Sequence, residues 1–412
     1  MWLVPALRFP EFTEEWKRIK VSDLLDFYST NSLSWEQLEY ESNEPYNLHY
    51  GLIHVGLPTI IDLTKDKLPS IKDGNVPKKY ELCKEGDIAF ADASEDTNEV
   101  AKVVEFYNLD GKKVVCGLHT IHGRNNNGQT AKGFLGYCFS STVFHNQIRR
   151  IAQGTKIYSI NTRNFSEVFV GLPSMNEQQK IATLLRLMDE RIATQNKIIE
   201  KYESLIQAMC DTLIERETQQ VTLSFGDFGQ SYSGLSGKSA EDFGDGYPFI
   251  TYMNVYQNQI IDSTDVGLVK INETEQQSVV RYGDILLTLS SETPEEVGMG
   301  AVYLGETYPL YLNSFCFGIH ITDEAKIYPP FLAYYVSSQS FRKAVYPLAQ
   351  GSTRFNLQKS DFMKKKFSFP VIEKQRIIYS FLKNYSDKLI VEKQIMRLLC
   401  NQKCYLLRQL FI

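Results

Sequence analysis

The chain has 412 residues, 43% of them hydrophobic and 23% charged, with a formal net charge of -5. That length exceeds what one hydrophobic core serves and implies two or three domains, while no run reaches the roughly 18 apolar residues of a membrane span. The 7 cysteines are odd in number and scattered with no C-x-x-C, which excludes a disulfide framework or zinc ribbon, and the acidic balance lacks the basic surplus of a free-standing DNA binder.

The start, Met1-Trp2-Leu3-Val4-Pro5-Ala6-Leu7-Arg8, lacks the basic head and long apolar core of a signal peptide, so a cytoplasmic protein is expected. From about residue 12 to 173, short apolar alternations such as Val114-Val115-Cys116-Gly117-Leu118 are bounded by Gly, Asn, Asp and Pro, the texture of strands and turns. Cys116, His119 and His122 fall at three-residue intervals, but no fourth ligand follows with sensible spacing, so a strand leaving the core is the better reading and no metal is expected. Next comes a polar loop, Arg124-Asn125-Asn126-Asn127-Gly128-Gln129.

After Pro173 a helical pattern begins. Alternating steps of four and three from Ile181 visit Leu185, Met188, Ile192, Gln195, Ile199, Tyr202, Ile206, Met209 and Leu213, and only Gln195 is polar. A sustained 3.5-residue repeat without Gly or Pro reads as a coiled-coil helix, roughly 50 Å long. A second strand-and-turn region, about 219–370, includes Ile285-Leu286-Leu287-Thr288-Leu289. The pattern closes with steps from Ile378 through Leu382, Tyr385, Leu389, Glu392, Met396, Leu399, Lys403, Leu406 and Leu410.

The second half repeats the first at an offset of 197 residues. Gly86-Asp87-Ile88 returns as Gly283-Asp284-Ile285, Ala152-Gln153-Gly154 as Ala349-Gln350-Gly351, Pro173 as Pro370, and every heptad position above as its counterpart. Glu177-x-Gln179-x-Ile181 and Glu373-x-Gln375-x-Ile377 match at 196 instead, which suggests a one-residue slip near the helix start. Two equal seams in one chain most simply bury each other, and duplication favours a pseudo-twofold, antiparallel pair that brings Gln195 near Glu392 as a register-setting polar layer. The expected architecture is α+β: mixed domains at 1–173 and 217–370, with coiled-coil helices at 174–216 and 371–412.

Catalytic motifs are missing from the sequence. Tyr328-Pro329-Pro330-Phe331 has tyrosine where a methyltransferase needs a polar residue to hold a flipped base, and reads as a helix start after two prolines. Glu324-Ala325-Lys326 and Asp110-Gly111-Lys112 are short acid–lysine patterns of the kind solvated loops carry, and there is no Walker lysine loop.

A constant frame carrying two divergent inserts resembles the specificity subunits of type I restriction–modification systems. The resemblance rests on Leu7-Arg8-Phe9-Pro10-Glu11-Phe12, Glu15-Trp16-Lys17, Ala152-Gln153-Gly154-Thr155, Leu172-Pro173 and Glu177-Gln178-Gln179-Lys180-Ile181-Ala182, with Tyr328-Pro329-Pro330-Phe331-Leu332 and Glu373-Lys374-Gln375-Arg376-Ile377 in the second half. It covers essentially the whole chain. The resemblance implies a non-catalytic subunit whose two target-recognition domains each read half of a split site on double-stranded DNA, with the helices as spacer. It also implies docking of two methyltransferase subunits, which would carry S-adenosylmethionine, and then restriction and translocase subunits; this chain itself would need no cofactor. Such partners would also supply phosphate-binding charge, which matters most for the second domain, rich in Asp and Glu. Candidate DNA contacts are His119, His122, Arg124, Asn125 and Asn127 in the first domain, and Lys238, Thr251, Tyr252 and Asn254 in the second, because Arg pairs with guanine and Asn with adenine in the major groove. Lys156 and Arg354 flank the shared frame and suit phosphate better. The competing expectation is a coiled-coil scaffold without DNA specificity.

Overall fold

The computed structural model describes residues 4–40 and 44–412; Met1-Trp2-Leu3 of the N-terminal stretch read above lie outside the described residues. The chain divides into two compact units, one of residues 1–196 with 394–412, the other of residues 197–393.

In the first unit a five-stranded sheet runs in the order Asp26–Tyr28, Thr120–Arg124, Ile88–Ala91, Val103–Asn108, Ile60–Asp62, antiparallel except for the last pair. Ile88–Ala91 reads as a continuous apolar run because both of its faces are covered. Ile88 and Phe90 pack with Phe134, Tyr137 and Phe139 on one side, and Ala89 and Ala91 with Leu48, Phe106 and Val114 on the other. The second unit repeats the scheme, with Gly229–Ser233, Cys316–Ile321, Ile285–Thr288 and Gly300–Val302 in one sheet. There Ile285 and Leu287 face one core and Leu286 the other. Each domain is closed by pairing its first strand with the strand that precedes a long helix: Lys17–Lys20 with Phe169–Leu172, and Gln220–Ser224 with Lys366–Pro370.

Both long helices form, Met175–Glu215 and Ile372–Gln409. In the first unit Ile181, Leu185 and Met188 share a core with Leu399, Leu406 and Leu410, so the start of one helix meets the end of the other. In the second unit Ile206, Cys210 and Ile214 pack with Ile378 and Leu382, the converse arrangement. The helices therefore pair antiparallel. Gln195 is buried and Glu392 half-buried.

The proposed slip at the helix start is corrected. Gln178 is buried; its Nε2 donates to the Pro173 and Gln129 carbonyls and its Oε1 accepts from the Ala131 amide. Gln375 repeats these roles with the Pro370 and Lys326 carbonyls and the Tyr328 amide. Gln178 thus corresponds to Gln375, and Ile181 to the buried Ile378, whereas Ile377 is 63% exposed. The offset of 197 runs unbroken from the proline into the helix.

One heptad layer differs between the units. The Tyr137 hydroxyl donates to Asp189 (2.8 Å), and Lys403 pairs with the same carboxylate (2.5 Å). At the matching positions of the second unit the Tyr334 hydroxyl donates to Ser386 (2.9 Å), and Ile206 replaces the lysine. The polar Lys403 of the seam is thereby explained.

Candidate nucleic-acid interface

The repeated Ala-Gln-Gly is a turn that only glycine fits. Gly154 and Gly351 have φ of 138° and 139°, and a Cβ there would stand 1.9 Å from the Ile157 carbonyl oxygen and 2.1 Å from that of Arg354. Each turn presents its next residues, Lys156-Ile157 and Thr353-Arg354, beside a short strand. These strands, Ala93–Ser94 and Ser290–Ser291, pair with Tyr158–Ser159 and Phe355–Leu357.

A short helix lies against each strand. In the first unit Tyr50–His54 is capped by the His49 ring, which accepts from the Gly51 amide (3.1 Å). Burial, and then the neighbouring His119, lower the His49 pKa, which keeps the ring neutral for that role. His54 Nε2 lies 3.1 Å from the Ala93 carbonyl, and Tyr50 packs edge-on to the exposed His119 (5.3 Å). His119 has φ of 53°, a left-handed conformation uncommon outside glycine, and its Nδ1 lies 3.2 Å from Asp92.

The second unit builds the matching place from other side chains. Tyr252–Gln257 is capped by Thr251, whose hydroxyl accepts from the Asn254 amide. Tyr252 and Tyr256 stack at 6.0 Å; Tyr252 donates to the Ser290 carbonyl, and Tyr256 donates to Glu296. Tyr256 and then Ser291 hold the Glu296 carboxyl below its usual range. Phe315, 57% exposed, occupies the place of His119, since their carbonyls accept from the equivalent Leu289 and Asp92 amides. Tyr252, Tyr256, Ser290, Glu292, Phe315 and Arg354 line a cavity of about 380 Å³. Arg354 and Glu292 share it without pairing, and neither side chain has a hydrogen-bonded partner among the described residues.

Among the candidates from sequence, His119 and Lys156 in the first unit and Tyr252 and Arg354 in the second gather around these strands. Asn125 and Asn127 lie past the far end of strand Thr120–Arg124 from His119, at the loop whose Gln129 carbonyl meets Gln178. Asn127 is exposed, while Asn125 donates to Thr130.

Four candidates need correction, because the structure gives their polar groups to the protein. His122 is fully buried, with Nε2 2.7 Å from Asp87. Arg124 donates twice to Asp87 and also to Glu81, which together hold its pKa far above the usual value despite burial. Lys238 pairs with Glu275 (2.5 Å) and is 4% exposed. Asn254 is buried and donates to the Asp262 and Asp265 carbonyls. The repeated Gly-Asp is likewise structural. Asp87 accepts from the Lys84 amide, and its counterpart Asp284 from the Arg281 amide, Tyr232 and His320.

Tyr50, His54, Tyr256, Phe315 and Glu292 were missed. The aromatic pairs at i and i+4 were the available signal, but Tyr50 recurs as Tyr252, 202 residues on, so a search at 197 passes over it.

Two copies of one α+β domain, joined by paired helices and each gathering polar and aromatic side chains of different chemistry beside the same short strand, define a two-site recognition protein. The family profile described as type I restriction modification DNA specificity domain matches residues 66–204 and 221–399, and the chain belongs to that family. It is a specificity subunit, a non-catalytic DNA-recognition component with two target-recognition domains. Its fold is similar to the crystal structure of a type I restriction–modification S subunit from M. genitalium, at 17% identity over 99% of both chains with a TM-score of 0.53. It is also similar to a chain of a structure concerned with complex assembly and conformational transition of the type I R-M system, at 16% identity over 95% of this chain and 96% of that one, TM-score 0.59. No curated protein matches the sequence. No helix of the described residues is long and apolar enough to cross a membrane.

Proposed function

We propose that each cleft reads one half of a bipartite DNA target. The recognition domains are residues 1–173 and 217–370, and helices 174–216 and 371–412 serve as the spacer. His119 and Lys156, with Tyr50 and His54 beside them, contact the first half-site; Arg354, Tyr252 and Glu292 contact the second; Asn125 and Asn127 form an additional first-domain contact. Arg354 carries the reading. An unpaired guanidinium in an aromatic-lined cavity retains all its donors for guanine or phosphate. Its unpaired neighbour Glu292 suits the amine of cytosine, so a G·C pair is the natural occupant.

The complex forms in the cytoplasm with two methyltransferase subunits, which bring S-adenosylmethionine, and with restriction and translocase subunits. Those partners offset the net charge of -5. The test is co-expression with the partner methyltransferase followed by methylome sequencing. Wild type yields a bipartite adenine-methylated motif, Arg354→Ala relaxes one half only, and His119→Ala relaxes the other. Unchanged motifs in both variants overturn the assignment of the clefts.

A further inference from the structure

On the interior side of the first domain's sheet, three ligand-bearing side chains converge. Cys83 precedes strand Ile88–Ala91 and donates its amide to the Val114 carbonyl; Cys116 ends strand Val114–Cys116; His122 lies within Thr120–Arg124. The two sulfurs are 3.5 Å apart, and a His122 ring nitrogen lies within 4.8 Å of both. Exposures are 6%, 2% and 0%. His122 Nε2 is held by Asp87, but Nδ1 is buried without a hydrogen-bond partner. An orphaned ring nitrogen in a core is destabilising, and a carboxylate behind an imidazole is how metal-bound histidines are oriented.

The duplicated domain supplies an internal control. At the place of His122 it has Gly318, where the Tyr232 ring fills the space and its hydroxyl donates to the buried Asp284 (2.7 Å). At the place of Cys83 it has Val280, whose amide donates to the Leu310 carbonyl in the same way, and at the place of Cys116 it has Leu312. The fold closes this spot with aliphatic side chains, so packing alone does not call for sulfur.

We propose that Cys83, Cys116 and His122 form a binding site for a thiophilic d10 cation, Zn2+ or Cu+. Metal–sulfur and metal–nitrogen bonds of about 2.3 and 2.0 Å separate ligand atoms by roughly 3.5–4 Å, a spacing the sulfurs already have and the imidazole reaches with a small shift. Each thiol releases its proton to solvent on binding. Two thiolates neutralise a divalent ion, while Asp87 remains balanced by Arg124. Three donors closed from water match the low coordination of Cu+; Zn2+ recruits a fourth ligand. The ion fastens strand Val114–Cys116 to Thr120–Arg124, the strand that begins next to His119.

The experiment uses the full chain carrying Cys400→Ser and Cys404→Ser, which removes the exposed helix thiols as competing ligands. Purified under reductant, it is titrated with Co2+, Zn2+ and, anaerobically, Cu+. One ion per chain, with sulfur-to-cobalt charge-transfer absorption and a raised melting temperature, is expected. Cys83→Val with Cys116→Leu, the packing the second domain already uses, abolishes all three while the far-ultraviolet circular dichroism is kept. Retention of Zn2+ or of Cu+ at equal free concentration identifies the ion. Binding unchanged in the double variant, no binding at all, or a disulfide between the two cysteines in the reduced preparation each overturn the proposal.

Discussion

Substituting Asp189 and Lys403 tests how the helix seam distinguishes its two ends. In the first unit the Asp189 carboxylate accepts from Tyr137 and pairs with Lys403; the second unit holds Ser386 and Ile206 in those places. Burial and Asp189 push the Tyr137 phenol far above its usual pKa, so it acts as a donor. Asp189→Ser keeps an acceptor for Tyr137, as Ser386 does for Tyr334, and strands only the ammonium. Lys403 is 22% exposed, so losing its partner is expected to cost about 1–2 kcal/mol. Lys403→Ile leaves Asp189, 23% exposed, with Tyr137 alone, at a similar cost. The double variant reproduces the second unit's layer and should return to within about 1 kcal/mol of wild type, because replacing a part-buried ion pair by apolar packing is often neutral. The coupling energy is then about 1–3 kcal/mol, read from urea unfolding of the four proteins at constant m. If the double variant loses the sum of the two single losses, the layer is not a coupled unit and the reasoning fails.

Glu105 sits in the middle of the first sheet, fully buried, with its oxygens accepting from the Gly133 and Gly136 amides; burial raises its pKa to about 7 from 4.5. The folded state therefore holds the proton more tightly than the unfolded chain, so this contribution is complete below about 4.5 and is lost as pH rises to about 7. The unfolding free energy from urea titrations should fall across that window by up to roughly 3 kcal/mol, and Glu105→Gln should flatten the dependence; an equal slope in the variant would refute the assignment. Gly351→Ala places a Cβ 2.1 Å from the Arg354 carbonyl oxygen, so the turn must open. Methylome sequencing should show the second half-site degraded and the first intact. Inserting four residues after Ala208 should lengthen the gap in the methylated motif without altering either half-site; changed half-site bases would mean that the helices take part in base readout.

The frame was legible in the sequence because periodicity reports burial directly. The heptads from Ile181 and Ile378, the Ala-Gln-Gly turns and the domain-closing prolines all followed from spacing. The misreadings have physical causes. Glu177-x-Gln179 resembled Glu373-x-Gln375 as letters, but the buried amide that brackets the loop is Gln178, and hydrogen bonding outranks letter similarity. His122 and Arg124 looked like surface donors because polar side chains usually face water, yet strand Thr120–Arg124 is covered on both sides and Asp87 satisfies them. Lys403 marked a polar break in the seam, but its partner Asp189 stands off the heptad positions and only the folded register brings them together.

Duplication turns these observations into an argument about where specificity resides. The two copies agree wherever the backbone requires it: glycine at 154 and 351, the buried aspartates at 87 and 284, the amides of Gln178 and Gln375. They part company where the backbone is indifferent, and there the differences are concerted. His119 becomes Phe315 while Ile157 becomes Arg354; Asp189 with Lys403 becomes Ser386 with Ile206; Cys83 with Cys116 becomes Val280 with Leu312. A solitary substitution in a core is tolerated drift, but a paired change that preserves complementarity within each copy reflects a constraint on the pair. The cleft pair therefore differs in chemistry between the domains, the seam pair differs in polarity, and the cysteine pair supplies sulfur where the same fold closes with aliphatic side chains.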